Sequence, residues 1–295
     1  MRCSYNKILT YIRATRPEIF IMDWSMIWAA FFLIETEFNG HFITTILILM
    51  LISGPFIHGA VDMINDYYDY RIDVKNKRTD KLLVTGEMTS REMLGLTVVL
   101  LILGNFLALL LLPQLLAFLM ILSSILGVLY SVPPVRFREY YPFSAILPSI
   151  PYFLVSPIVW YVFTGTVTDK AILVGLILAV NMFLGLTLKD IYDYVGDLEH
   201  GVKSIVYWLN PVKARYFVVM VALISPSLIV YGALSNIFGK MGLLVAFIQY
   251  LITFFSSKYI ISGKWTPGMS YKLFYPAYRL GCFILLSLLG LLKLI

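Results

Sequence analysis

The chain has 295 residues, of which 60% are hydrophobic and only 14% are charged, and its mean hydropathy is +0.84. A soluble domain carries roughly 25% charged residues, so this composition excludes an ordinary soluble protein and indicates an integral membrane protein. The net charge of +6 does not call for nucleic acid, because basic residues at a cytoplasmic membrane face meet anionic lipid headgroups. We therefore predict membrane lipid as a partner and no nucleic acid.

Apolar segments of roughly bilayer-spanning length follow one another along the chain. They predict an all-α integral membrane protein with nine transmembrane helices around a central cavity. The predicted spans are 19–34, 42–63, 93–112, 115–130, 143–163, 171–188, 216–234, 241–255 and 275–292. Residues 1–295 are predicted to form a single transmembrane domain, in which helices 1–4 cover about 18–131 and helices 5–9 about 143–293. Helices 1–4 and 5–8 look like two pseudo-repeated halves, with the ninth helix appended.

The basic residues fall mainly on one side of these predicted helices. Twenty of the 23 lysines and arginines lie in segments that nine spans place on the same side, and the other three are Lys170, Lys240 and Lys293. Short cytoplasmic loops are enriched in Lys and Arg. The distribution therefore predicts a cytoplasmic N-terminus, an external C-terminus and a site on the cytoplasmic side.

Two cysteines, Cys3 and Cys282, are too few for a disulfide framework or a thiolate metal site.

Two acidic segments stand out from this apolar background. The first acidic segment, residues 65–73, and the second acidic segment, residues 190–197, each carry three aspartates at positions i, i+3 and i+7. These are Asp66, Asp69 and Asp73 in the first, and Asp190, Asp193 and Asp197 in the second. If the backbone is helical, each trio lies on one helix face. A lone aspartate at a helix end is more often a cap, but the repeated spacing argues against two sets of caps.

Like charges on one helix face repel each other unless something positive lies among them. Mg²⁺ is typically bound by one or two carboxylates together with substrate phosphates, so we predict two Mg²⁺ ions that bridge the acidic segments and a diphosphate. The predicted metal ligands are Asn65, Asp69, Asp73, Asp193 and Asp197. Basic residues near these segments would neutralise the remaining phosphate charge. The predicted diphosphate-binding residues are Arg16, Lys81, Arg136, Arg138, Lys189 and Lys203.

The two segments resemble the motifs of the UbiA superfamily of intramembrane prenyltransferases. That family carries an NDxxDxxxD motif after its second helix, which this chain has from Asn65 to Asp73, and a DxxxD motif after its sixth, here Asp193 to Asp197. Residues 130–136, Tyr-Ser-Val-Pro-Pro-Val-Arg, are most similar to a loop of the chlorophyll synthase branch, and the chain also resembles archaeal-type lipid prenyltransferases.

One stretch departs from the pattern of that family. Where the family often has an Arg-Pro-rich stretch ending in Ser-Gly, residues 77–86 of this chain contain no proline. Lys81 stands in place of the arginine, and Thr85 with Gly86 in place of Ser-Gly. The rigidity of this loop, and the acceptor that it shapes, are therefore expected to differ.

The resemblance implies a Mg²⁺-dependent enzyme that transfers an isoprenyl group from a prenyl diphosphate to a lipophilic acceptor through an allylic carbocation. The acceptors that it implies are an aromatic phenol or quinone precursor, a tetrapyrrole propionate, or the hydroxyl of a prenylated glycerol phosphate. Tyr130 and Tyr192 are candidates to stabilise the cation through their ring faces, although interfacial anchoring is an equally good explanation of a tyrosine. Asp66 and Asp190 are candidate bases for the acceptor proton.

Three further polar residues lie within the predicted spans or at their ends, namely Asp23, His58 and Asp62. Ionisable residues at membrane depth are functional candidates, but hydrogen bonding to a neighbouring helix explains them equally well. The competing function is a polytopic cation transporter or channel that uses the aspartates as a transport site. Such sites usually lie near the membrane midplane, whereas these aspartates lie at cytoplasmic helix ends. Binding of a prenyl diphosphate that requires Mg²⁺ separates the two functions.

Overall fold

The computed structural model describes residues 2–34, 39–75, 77–282 and 284–285, which are predominantly helical. Its helices are α1 (Arg2–Ala14), α2 (Pro17–Phe32), α3 (Gly40–Leu51), α4 (Gly59–Lys75), α5 (Leu82–Thr85), α6 (Ser90–Leu111), α7 (Gln114–Ser131), α8 (Phe143–Thr164), α9 (Asp169–Glu199), α10 (Ile205–Leu234), α11 (Met241–Ile261) and α12 (Pro267–Met269). A π-helical segment, Ile52–His58, joins α3 to α4, and a second one, Ser270–Gly281, continues α12. The predicted all-α class is confirmed.

Seven helices in the described part of the chain are long and apolar enough to cross a membrane. The predicted number of nine is not confirmed. The first predicted span corresponds to α2, which has only 16 residues, and the ninth, 275–292, extends beyond the described residues. The structure also contains α1, an N-terminal helix that the sequence did not predict, with Ile8, Leu9 and Ile12 exposed.

The helices continue through both acidic segments, beyond the ends at 63 and 188 that were predicted for the second and sixth spans. α4 ends only at Lys75, and α9 continues to Glu199. α10 begins at Ile205, well before the predicted start at 216, and it kinks at Asn210, where φ is +60°. The Asn210 side chain accepts hydrogen bonds from two backbone amides of the next turn, and Pro211 follows it, so a new helix start is built into the polar part of α10.

The chain divides into two compact units by its contacts. Unit 1 comprises Met1–Trp24 and Leu47–Arg138. Within it, α4 packs against α6 and α7, and the approach to α7 is close at Gly127. A Cβ atom at Gly127 would lie only 2.3 Å from a methyl carbon of Val61, so this contact requires glycine. The close packing fixes α4, which carries the first acidic segment.

Unit 2 comprises Ser25–Ile46 and Glu139–Ile295. In this unit α9 packs against α8 and α10. The α8–α9 contact is also close, because a Cβ atom at Gly175 would lie 2.4 Å from the carbonyl oxygen of Phe153. Thr168 caps α9 by accepting a hydrogen bond from the Ala171 amide. These contacts fix the helix that carries the second acidic segment. The predicted boundaries of the two repeated halves remain a prediction.

Candidate active site

The first acidic segment lies on α4, so its three aspartates share one helix face as the spacing predicted. Asp66, Asp69 and Asp73 are all buried, at 6%, 3% and 8% exposure. Burying three carboxylates on one face costs several kcal/mol per ion unless cations compensate the charge. The compensation comes from basic residues that are distant in sequence but belong to the same unit.

Two basic side chains hold the carboxylate of Asp66. The guanidinium of Arg16 donates to both of its oxygens, at 2.6 Å for Oδ2. The ammonium of Lys81 donates to Oδ1 at 2.7 Å and is itself buried. Lys81 is positioned because Leu82 and Leu83, the next two residues, pack in a core cluster with Met63 of α4. The prediction that Lys81 lies at the acidic segment is therefore supported by its position.

Two arginines hold Asp69 in the same way. Arg136 donates to its Oδ1 at 2.9 Å, and the buried Arg138 forms an ion pair with the same oxygen. Arg136 has a φ of +39° and Arg16 a φ of +53°. Positive φ is uncommon for residues other than glycine, and such strain is often found at functional sites. Two of the positive-φ residues thus carry side chains that bind the first acidic segment.

Four of the six predicted diphosphate-binding residues therefore meet at the first acidic segment. Asp66 and Asp69 each contact two basic side chains, and Arg16 is shared with Asp62. Guanidinium and ammonium donors grouped in this way suit phosphate oxygens.

The donor set also fits a hard divalent cation. Asp69 and Asp73 supply carboxylate oxygens, and Asn65 lies on the same helix with a buried Nδ2 atom that has no hydrogen-bond partner among the described residues. Such oxygen-rich sets suit Mg²⁺, to which Asn65 can contribute only its amide oxygen, whereas its unpartnered Nδ2 is a donor that suits an anionic oxygen. In the described part of the chain, no three His, Cys, Asp or Glu side chains are grouped closely enough to hold a metal ion.

A second ionic cluster extends from Arg16 toward α2. Arg16 lies 3.3 Å from Asp62, whose carboxylate lies 3.6 Å from His58. The other ring nitrogen of His58, Nδ1, contacts a carboxylate oxygen of Asp23 on α2. The sequence left open whether these residues have a functional role or contact a neighbouring helix. In the structure they make contacts between neighbouring helices. Asp23, His58 and Asp62 are thereby linked to the Arg16 that binds the first acidic segment.

The second acidic segment lies near the end of α9, again with its aspartates on one face. Asp197 is buried at 4% exposure, whereas Asp190 and Asp193 are half-buried. Lys189 lies 3.9 Å from Asp193 on the same helix. The backbone amide of Ile205 donates to Asp190 at 3.4 Å. Beside that amide, the buried hydroxyl of Ser204 has no hydrogen-bond partner among the described residues.

Lys203 is exposed, and its ammonium lies over the Tyr140 ring, 5.8 Å from the ring centre. Its backbone nevertheless holds two loops of unit 2 together. The Lys203 amide donates to the backbone carbonyl oxygen of Glu139 at 2.8 Å, and the Tyr141 amide donates to the Lys203 carbonyl at 3.0 Å. The Lys203 ammonium therefore contacts an aromatic ring, whereas the four basic residues at the first acidic segment contact carboxylates.

The sequence did not single out Tyr141, which lies outside the apolar spans. Burial, together with the negative charge of Asp190, raises the pKa of Tyr141 to about 12. Its neutral hydroxyl is therefore a hydrogen-bond donor near the second acidic segment. The only signal in the sequence is its position in the same short polar loop as Arg136 and Arg138.

The two tyrosines predicted to stabilise a cation are half-buried. Tyr130 lies in the last turn of α7 and Tyr192 in the second acidic segment of α9. The structure places each of them close in sequence to predicted site residues. Their roles remain a prediction.

Comparison with known proteins identifies the family. The sequence model of the UbiA prenyltransferase family matches residues 24–273. The 34 kDa chain of bacteriochlorophyll synthase from Chloroflexus aurantiacus is 27% identical over 174 residues, which are 59% of this chain but only 56% of that protein. Digeranylgeranylglyceryl phosphate synthase from Korarchaeum cryptofilum is 24% identical over 248 residues, covering 84% of this chain and 83% of that protein.

A solved structure has the same fold. The UbiA homologue from Archaeoglobus fulgidus, bound to GPP and Mg²⁺, matches with a TM-score of 0.67 at 19% identity, covering 96% of this chain and 98% of that one. The family match spans most of the sequence and contains both acidic segments. The chain therefore belongs to the UbiA prenyltransferase family, an integral membrane family, and the predicted enzyme class, a prenyltransferase, is confirmed.

Proposed function

We propose that this protein transfers an isoprenyl group from a prenyl diphosphate to a lipophilic acceptor in a reaction that requires Mg²⁺. The observation that carries this proposal is the pairing of two basic side chains with each of two buried carboxylates, Asp66 and Asp69. A polyanion such as a diphosphate is the ligand that a group of guanidinium and ammonium donors of this kind favours. The GPP and Mg²⁺ bound to the Archaeoglobus fulgidus homologue support the same class of donor.

The four basic residues that contact the first acidic segment are proposed to bind and orient the diphosphate. Arg16, Lys81, Arg136 and Arg138 exchange carboxylate oxygens for phosphate oxygens, because both are anionic acceptors with similar hydrogen-bond geometry. This exchange releases the carboxylates of Asp66 and Asp69. Lys189 and Lys203 are proposed to contribute charge at the second segment.

The residues proposed to hold Mg²⁺ are Asn65, Asp69 and Asp73 in the first segment and Asp193 and Asp197 in the second. When bound, the metal withdraws negative charge from the diphosphate and so favours ionisation of the allylic carbon–oxygen bond. The number of ions, two, follows from the two segments and is part of the proposal.

The remaining steps fall to residues beside the metal ligands. Tyr130 and Tyr192 are proposed to stabilise the allylic cation through their ring faces, which attract positive charge. Asp66 and Asp190 are proposed to accept the proton that the acceptor loses. The apolar helices around the site exclude water, which would otherwise capture the cation.

The acceptor is proposed to be lipophilic. The named relatives act in bacteriochlorophyll synthesis and in digeranylgeranylglyceryl phosphate synthesis, which supports a tetrapyrrole or a glyceryl phosphate as candidates beside an aromatic phenol. Purified protein in lipid nanodiscs, incubated with Mg²⁺, labelled prenyl diphosphates of different chain lengths and one acceptor of each class, tests the function. We expect a prenylated product from at least one combination. Failure of every donor to react or bind in the presence of Mg²⁺ contradicts the proposal.

The proposed topology places the N-terminus and both acidic segments on the cytoplasmic side and the C-terminus outside. Thr79, Lys203 and Asn236 are exposed positions suited to a test. Single cysteines there, in a background without Cys3 and Cys282, are labelled with an impermeant thiol reagent. We expect Thr79→Cys and Lys203→Cys to react from one side of the membrane and Asn236→Cys from the other. Labelling of the first two from opposite sides contradicts the topology.

A further inference from the structure

Three basic side chains are buried in the described part of the chain, Lys81, Arg138 and Arg279. The first two form ion pairs with aspartates of the first acidic segment. Arg279 has no carboxylate partner among the described residues. Its Nη2 atom instead contacts two methionine sulfurs, that of Met26 at 3.6 Å and that of Met182 at 3.8 Å. Arg279 is therefore a buried cation whose charge the described protein does not balance.

The contacts that Arg279 does make are weak. Thioether sulfur is a poor hydrogen-bond acceptor, and the Nε atom of Arg279 is buried without a partner among the described residues. The ring of Tyr275 lies 5.8 Å from the guanidinium carbon, which supplies only part of the missing stabilisation. Burying an ion without its counter-charge costs several kcal/mol, and an ionisable residue inside a membrane protein is rarely left uncompensated without a function.

The surroundings of the guanidinium suit an amphiphilic anion. Gly185 of α9 faces it without a side chain, so that a Cβ atom there would come within 3.6 Å of Arg279 Nη1. The hydroxyl of Tyr275 donates to the Gly185 carbonyl at 2.9 Å, which fixes the ring beside the guanidinium. The two methionines are flexible and polarisable, so they adapt to apolar ligand surface. A rigid cation is thus bordered by adaptable apolar side chains.

The position along α9 connects this cation to the second acidic segment. Met182 and Asp193 are 11 residues apart, which is about three helical turns or 16 Å, and they lie on the same helix face. A ligand held at Arg279 and extending along that face would approach the segment from the membrane interior.

We propose that Arg279 binds the anionic group, a carboxylate or a phosphate, of the lipophilic acceptor. This inference rests on the proposed prenyl transfer, because it assigns Arg279 to the second substrate of that reaction. It makes Arg279 an acceptor-binding residue that lies outside both acidic segments. The preference of the enzyme for anionic over neutral acceptors is expected to depend on this side chain.

Two matched pairs of probes test the inference and distinguish the two anions. The first pair is 4-hydroxybenzoate and its methyl ester, and the second is dodecylglyceryl phosphate and dodecylglycerol. Binding of each labelled probe is measured in nanodiscs for the wild type, Arg279→Gln and Arg279→Lys, with Lys272→Gln as control. Lys272 lies exposed in the same π-helical segment as Arg279.

The wild type and the control are expected to bind the anionic member of one pair more tightly than its neutral analogue. Arg279→Gln should lower affinity for that anion at least about tenfold, the effect of losing one charge-assisted contact, and leave the neutral analogue unchanged. Arg279→Lys should retain part of the preference. A wild type without preference in both pairs, or equal losses for anion and neutral analogue in Arg279→Gln, overturns the inference.

Gly185→Ala provides a second test if Arg279→Gln does not fold. The added methyl group meets the guanidinium only at ordinary van der Waals distance, and alanine favours a helix over glycine, so the variant should fold. We expect it to weaken binding of the anionic probe alone, and unchanged binding counts against the inference. Mg²⁺-dependent binding of geranyl diphosphate is measured in the same samples. If the wild type does not bind geranyl diphosphate, the proposed function is contradicted. If it binds geranyl diphosphate but substitution of Arg279 does not change binding of the anionic probe, only this inference is contradicted.

Discussion

The two acidic segments share one aspartate spacing but have different surroundings. In the first, Asp66 and Asp69 are buried and each is bound by two basic side chains from other parts of unit 1. In the second, Asp193 lies 3.9 Å from Lys189 of the same helix, and both remain partly exposed. Equal spacing therefore does not imply equal roles. In the proposed function, the basic residues around the first segment therefore bind more of the diphosphate than those around the second, and both segments contribute metal ligands.

The largest expected effect tests whether both segments are needed for turnover. Asp69→Ala and Asp193→Ala are each expected to lower kcat/KM by roughly 10²–10³ or more, because each removes a proposed metal ligand that stabilises charge on the leaving diphosphate. Product formation with saturating Mg²⁺ measures this.

Asp80→Ala and Asp169→Ala are matched controls for that comparison. Asp80 is exposed and lies outside the proposed site. Its hydrogen bond from Arg78 lowers the pKa of Asp80 to about 2, so this carboxylate is charged at neutral pH. Asp169 lies in the first turn of α9, at the opposite end from the acidic segment. Both variants should retain normal turnover. A normal rate in Asp69→Ala or Asp193→Ala would remove that segment from the mechanism.

The second prediction concerns stability and separates the two segments. Asp69→Ala leaves Arg138 buried without this carboxylate and should lower the free energy of unfolding by about 3–5 kcal/mol. The double variant Asp69→Ala/Arg138→Met should recover most of that loss. A double-mutant cycle on Lys189 and Asp193 should give a coupling below about 1 kcal/mol, as for partly exposed pairs. Thermal unfolding in detergent measures both cycles, the first of which is completed by Arg138→Met alone, and equal coupling energies contradict the difference between the segments.

The third prediction concerns donor affinity. Arg136→Gln is expected to raise the KM for the prenyl diphosphate about tenfold, because it loses one charge-assisted contact with the diphosphate. Lys189→Gln should raise it only a few-fold, and neither variant should change the KM for the acceptor. Arg13→Gln is the control, since Arg13 is exposed and pairs with the exposed Glu87. Unchanged donor KM values in both variants count against a diphosphate clamp.

The sequence predicted the features that depend on local geometry. The i, i+3, i+7 spacing placed each aspartate trio on one helix face, and the structure confirms both helices. The grouping of basic residues around the acidic segments also identified Arg16, Lys81, Arg136 and Arg138, all of which contact the first segment. Family membership followed from the same motifs.

Features that depend on pairing between distant residues could not be predicted. His58 and Asp62 stand at i, i+4, a spacing that brings side chains together on a helix, but no spacing in the sequence encodes the contact of His58 with Asp23 of α2. Arg279 was counted with the basic residues of the cytoplasmic rim, yet it is buried against Met26 and Met182. Hydropathy reports average burial along a span, but it does not identify which charge lacks a partner.

Binding of labelled geranyl diphosphate to the purified protein tests the central claim most directly, that Mg²⁺ and both acidic segments hold the donor. The wild type is predicted to bind saturably with Mg²⁺, to lose binding when EDTA removes the metal, and to regain it when Mg²⁺ is restored. Asp69→Asn and Asp193→Asn, which keep side-chain shape but remove charge, should each weaken the Mg²⁺-dependent binding. Equal binding by all three proteins, with and without Mg²⁺, would contradict the claim.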